Sequence, residues 1–152
     1  MKPFTTSLPN LDQLSLSESP DFIEEFTRDA LMQHGSNPNS DQALVIALHL
    51  AKAYTAQQKL KSAERTLRDV RARLDASSRQ VQLRYLIEVT RFFLAKDNKD
   101  EAQTLWNKAK KLCVHIHDEY AEAELSQLIT ALSAPPLPDR TKEPTFQVVA
   151  VV

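Results

Sequence analysis

The sequence predicts an all-α fold: antiparallel helix hairpins stacked as a short solenoid of about six helices, with flexible N- and C-terminal tails. Three observations predict it. The 152 residues include one Gly, fewer than hairpin-rich sheets or long irregular structure use. Apolar residues recur at helical spacing, as in DNKDEAQTLWNKAKKL, where Ala102, Leu105, Trp106, Ala109 and Leu112 mark one face. Thirty-nine residues upstream, LKSAERTLRDVRARL repeats the design with Ala63, Leu67, Val70 and Leu74. A helix of this kind cannot bury its stripe alone, so the units must stack.

Residues 1–20 are rich in Ser, Thr and Pro and lack a sustained period, so they read as a flexible arm. Ser19-Pro20-Asp21 combines a hydroxyl cap, a first-turn Pro and acids at the positive end of the dipole. It starts a cap helix at 21–34, which carries Phe22, Phe26 and Ala30 and stops near His34-Gly35. After the loop GSNPNS, Ser40 or Asp41 caps the next helix.

Helices are then expected at about 41–57, 60–75, 79–96, 98–114 and 117–133. They form repeats at 41–75 and 79–114 and a terminal helix at 117–133, within a helical domain spanning 21–134. The breaks at Gln57-Gln58-Lys59, Asp75–Ser78 and Asp97-Asn98 are short enough to force antiparallel neighbours. Residues 135–152 form a proline-rich tail whose PPLPDR fits a P-x-x-P-x-R ligand and whose FQVVAVV has strand composition.

The formal net charge of −1 hides an asymmetry: −5 over residues 1–51, +8 over 52–111 and −4 over 112–152. Cys113 has no second Cys to pair with and fits a reducing compartment. No apolar run approaches the ~18 residues of a membrane span, and MKPFTTSLPN lacks the apolar core of a signal peptide. The expected location is cytoplasmic, without a membrane partner.

At an offset of 39 residues, Leu50 maps to Val89 and then Leu128, Tyr54 to Phe93, Ala63 to Ala102, and Leu67 to Trp106. Leu50-Ala51-x-x-Tyr54 followed by Ala63 and Leu67 resembles a tetratricopeptide repeat, and Val89-Thr90-x-x-Phe93 followed by Ala102 and Trp106 does the same. The resemblance covers roughly residues 43–133, in an extended repeat with Gln58 and Asp97 where the family's turn glycine stands. It implies a right-handed solenoid whose first helices line a concave groove.

No spacing of nucleophile and base, glycine-rich phosphate loop or cofactor motif appears, so neither an enzyme nor a cofactor is expected. Cys113, His115 and His117 suggest metal ligands at first sight. Residues two apart on a helix point to nearly opposite faces, and a third partner for Cys113 and His117 is not evident, so no metal is assigned.

Lys61, Arg65 and Arg68 form a stripe opposite the apolar face of helix 60–75, read as a solvated outer surface. By the resemblance, the groove presents Leu48 and Lys52 from one unit and Arg84, Ile87 and Arg91 from the next. These five residues are the candidate site. Apolar anchors flanked by three cations suit a protein or peptide segment of acidic character, and the implied function is a binding adaptor or chaperone-like scaffold. With two and a half units, a homodimer or larger complex is expected to supply stability. The alternatives are nucleic-acid binding through the basic segment 52–111 and a structural subunit of an assembly. None of the three cations is assigned to the core, so reversing all three is expected to leave the helices intact.

Overall fold

The computed structural model describes residues 11–33 and 40–133. The expectations for residues 1–10, for the loop after Gly35, and for PPLPDR and FQVVAVV in the tail lie outside the described residues. Those described form helices and no strand: α1 (residues 11–17), α2 (Pro20–Gln33), α3 (Asp41–Ala56), α4 (Leu60–Ala72), α5 (Arg79–Ala95), α6 (Lys99–Cys113) and α7 (Glu119–Ser133). A single 3-10 turn, Leu74–Ala76, follows α4 and takes the place of its expected last turn.

Short polar side chains start α3, α5, α6 and α7 by accepting orphan backbone N–H groups, whereas α4, preceded by Lys59, has no side-chain cap. The Ser40 hydroxyl accepts from Ala43 at 3.1 Å and the Ser78 hydroxyl from Val81 at 3.3 Å. Asn98 accepts from Glu101 at 3.2 Å, and Asp118 from Ala121 at 3.1 Å. Helix ends repeat as well. Gln58 and Asp97 both adopt φ of 63°, the left-handed region that glycine favours. At each end a 6→1 hydrogen bond closes the turn: Lys59 N–H to the Tyr54 carbonyl at 2.9 Å, and Asn98 N–H to the Phe93 carbonyl at 2.8 Å. Non-glycine residues therefore hold the turn geometry at corresponding places of both units.

Burial follows the same offset. Leu44 and Leu83, Leu48 and Ile87, Ala51 and Thr90, and Ala53 and Phe92 are all buried pairs. Ala63 and Ala102 are each 0% exposed, and only a methyl group lets the paired helices approach so closely. Helix α3 packs on α4 and α5 on α6, while α3, α5 and α7 lie side by side and α2 closes the end against α3. One core cluster gathers Leu44, Leu48, Leu67, Val70 and Phe92; a second gathers Leu83, Ile87, Ala109, Leu125 and Leu128. Trp106 is half-buried beside the second, and its indole N–H donates to the Leu125 carbonyl at 2.9 Å.

The reading of residues 1–20 as a mobile arm is corrected over 11–17, which are helical with Leu11 only 1% exposed. A helix this short has no stability of its own in water, so tertiary contacts must hold it. No helix among the described residues is long and apolar enough to cross a membrane.

Candidate functional site

The contacts that hold α1 are the centre of the candidate site. Asp12 reaches α3, where His49 Nε2 lies 2.9 Å from its Oδ1. It also reaches α5, where Arg84 Nη1 and Nη2 donate to its two oxygens at 2.9 and 3.0 Å. The other edge of the same guanidinium meets Asp118 at the start of α7, with Nε and Nη2 donating at 2.8 and 3.0 Å. Arg84 thus forms two paired forks, a geometry that its planar, permanently charged group suits and lysine does not. Asp118 is occupied on other sides by the Gln80 amide at 3.1 Å and by the α7 cap.

Tyr120 sits at the middle of this face. Its ring lies 4.6 Å from the Arg84 guanidinium carbon and 5.2 Å from Lys52 Nζ, a cation on aromatic arrangement, with the His49 ring tilted against it at 5.2 Å. Lys52 donates to the Tyr120 hydroxyl at 3.0 Å and pairs with Glu124 at 3.2 Å. Arg91 pairs with Glu88 on its own helix and with Glu124 on α7. Glu124 is 1% exposed, so without these two cations its charge would be untenable.

The electrostatics reflect this pairing. Burial alone would raise the Asp12 carboxyl, but hydrogen bonds from His49 and Arg84 outweigh it and bring the pKa down to about 2. Asp118 is lowered in the same way: burial opposes, and the Arg84 hydrogen bonds and charge prevail. Burial, reinforced by Glu88 and Glu124, pushes the Tyr120 phenol upward, so it remains a hydrogen-bond donor at neutral pH.

The structure brings Lys52, Arg84 and Arg91 to one face, as the repeat geometry predicts. Their freedom to meet a partner is a different matter. Asp12, Glu88, Asp118 and Glu124 already neutralise them, and Arg84 is 8% exposed. Leu48 and Ile87, at 2% and 1%, lie beneath this layer as core. With Val45, His49, Arg84, Glu88 and Tyr120 they enclose a cavity of about 10 Å³, room for a water-sized group and not for a side chain. The expectation that none of the cations is structural is therefore corrected for all three: Arg84 holds Asp12 and Asp118, and Lys52 and Arg91 neutralise the buried Glu124.

Sequence reading missed Asp12, His49, Glu88, Asp118, Tyr120 and Glu124. Glu88 carried a local signal, three residues before Arg91 on a helix. His49 lies beside Leu48 on α3, three residues before Lys52. Asp12, Asp118, Tyr120 and Glu124 come from distant segments, and only the acidic–basic–acidic charge order hinted at them. Cys113 is buried in the α6–α7 core, with its thiol pushed up by that burial, and His115 and His117 are exposed in the turn beyond. Among the described residues, no three His, Cys, Asp or Glu side chains gather as metal ligands. Lys61, Arg65 and Arg68 lie exposed on α4, with Arg68 paired to Glu64 at 2.9 Å. Comparison with protein-family models, curated proteins and solved structures gave no match.

Proposed function

We propose that the chain is a cytoplasmic protein-interaction scaffold, a short tetratricopeptide-like array in which α3, α5 and α7 line a groove for an acid-bearing helical segment. The repeated left-handed turns at Gln58 and Asp97 and the repeated buried Ala63 and Ala102 support the array. The observation that carries the function is the seat of Asp12: a carboxylate on a short helix, held by Arg84 and His49 from two adjacent units. Helix α1 occupies the groove as an internal example of the ligand. A partner helix with a carboxylate in the place of Asp12 would use the same contacts once α1 gives way. Lys52 and Arg91 then act as fixed supports for Glu124 and Tyr120, and Arg84 with His49 supplies the acid selectivity.

The test uses the full chain carrying Asp12→Asn, which loosens α1. A fluorescent peptide of residues 11–19, LDQLSLSES, is titrated and its anisotropy recorded. The peptide should bind this variant, bind the wild type at least ~10-fold more weakly, and lose affinity when its own Asp is replaced by Asn. Equal binding of the Asp and Asn peptides would remove the groove's acid selectivity and the proposal with it.

A further inference from the structure

On the opposite side from α1, α4 and α5 form an outer cleft of about 280 Å³. Its floor is Tyr85, Val89, Phe92 and Phe93 from α5, and its wall is Leu67 with Arg68 and Arg71 from α4; Glu64 is the only acid among the lining residues. The spacing explains it. Residues 85, 89 and 92 repeat at one helical face, as do 64, 67, 68 and 71, so two stripes face each other across a gap. Arg68 and Arg71 are exposed at its rim. An aromatic floor with an arginine rim is the composition of a contact surface rather than of a solvated face.

The same chain displays the complement. Helix α2 packs on α3 and turns its other side outward, where Asp21, Glu25 and Asp29, four residues apart, form an exposed acidic row. Beside that row are Phe22, 43% exposed and stacked on Phe26, and Met32, 80% exposed. Carboxylates interleaved with large apolar side chains match arginines around an aromatic cleft in both charge and character.

We infer that the outer α4–α5 cleft docks the outward face of α2 from a second copy of this chain. Phe22 and Met32 enter the cleft, and Asp21, Glu25 and Asp29 meet Arg68 and Arg71. The two faces are different surfaces of one molecule, so the contact is heterologous and adds copies head to tail. It also answers the shortage of repeats: each contact covers the end helix of one copy with the side of the next. The contact does not involve the α1 groove, so it stands or falls separately from the function proposed above.

Two variants of the full chain test it. Arg68→Glu with Arg71→Glu disables the cleft, and Phe22→Ser with Met32→Ser disables the α2 face. All four positions are exposed, and circular dichroism checks that each variant is folded. In sedimentation velocity at low salt, the wild type should show mass rising with concentration, and high salt should reduce it. Each variant alone should remain a monomer. An equimolar mixture should give a complex of twice the monomer mass and stop there, because only one intact cleft meets one intact α2 face. A wild type that stays monomeric at the highest soluble concentration overturns the inference. So does a mixture of the folded variants that fails to associate, or a variant that assembles alone. A wild type whose mass rises only on adding a protein partner or nucleic acid assigns the cleft to that ligand and likewise overturns it.

Discussion

Asp12 and Arg84, 72 residues apart in sequence, are joined by two hydrogen bonds of 2.9 and 3.0 Å, and this fork ties the first helix to the repeat. Arg84 continues from Asp12 to Asp118, so the start, middle and end of the described chain meet at one side chain. The acidic–basic–acidic charge order has its physical explanation here: a basic middle segment draws an acidic flank from each side.

Acid should release α1 before the protein unfolds. The folded Asp12 carboxyl lies at about 2, below its ordinary 3.8, so its pairing stabilises fully above 3.8 and is lost as pH falls toward 2. The gap corresponds to on the order of 2 kcal/mol. The protection of residues 11–17 against hydrogen exchange, taken relative to the intrinsic rate at each pH, should fall across that window while the amides of α5 stay protected. In Asp12→Asn, protection at 11–17 should be low and nearly independent of pH. An acid response unchanged by Asp12→Asn would assign it to another group.

Reversing Lys52, Arg84 and Arg91 to Glu should unfold the chain, contrary to what the sequence alone suggests. The change removes the cations that neutralise Glu124, Asp118 and Asp12 and adds three negative charges to the same layer. Arg84→Ala alone should cost about 3–5 kcal/mol, the range for breaking a buried pair and stranding its partner. Urea denaturation measures this directly. A loss under ~1 kcal/mol would mean that Asp118 is adequately solvated without Arg84.

Gly substitution should stabilise at two places. At φ of 63°, Gln58 and Asp97 hold a conformation that costs a residue with a Cβ about 1 kcal/mol. Gln58→Gly and Asp97→Gly should each gain roughly 0.5 kcal/mol after the larger entropy of the unfolded glycine is counted. Being far apart, they should add. A loss at either site, read from the urea midpoint, would contradict the turn geometry.

Trp106→Phe should be milder than Trp106→Ala and still measurable. Phe keeps much of the packing but leaves the Leu125 carbonyl without the indole donor, a loss of about 1 kcal/mol. Trp106→Ala should cost about 3 kcal/mol, at the low end for a core aromatic because the side chain is only half-buried. Thermal melts of the two variants give the ranking.

The helices from Asp41 onward were legible because each carries an apolar stripe at helical spacing and all but α4 have a Ser, Asp or Asn beside their start. Their repetition was legible too, since Ala63 and Ala102 need small side chains wherever paired helices touch. Helix α1 was not. LDQLSLS has no long amphipathic period, and its order depends on Arg84 and His49, which lie far away in the chain. For the same reason the convergence of Lys52, Arg84 and Arg91 could be read from one repeat length, but their neutralisation could not. Periodicity places side chains on faces and carries no record of which carboxylate from another segment arrives there.

The most direct measurement is a double-mutant cycle between Asp12 and Arg84, built from Asp12→Asn, Arg84→Gln and the double variant, with stability read by urea denaturation. If the fork holds α1 in the groove, the two changes should be non-additive by about 1.5–3 kcal/mol, the double variant losing less than the sum of the singles. Additivity within ~0.3 kcal/mol would show that Asp12 and Arg84 do not act together, and the groove would lose its internal ligand.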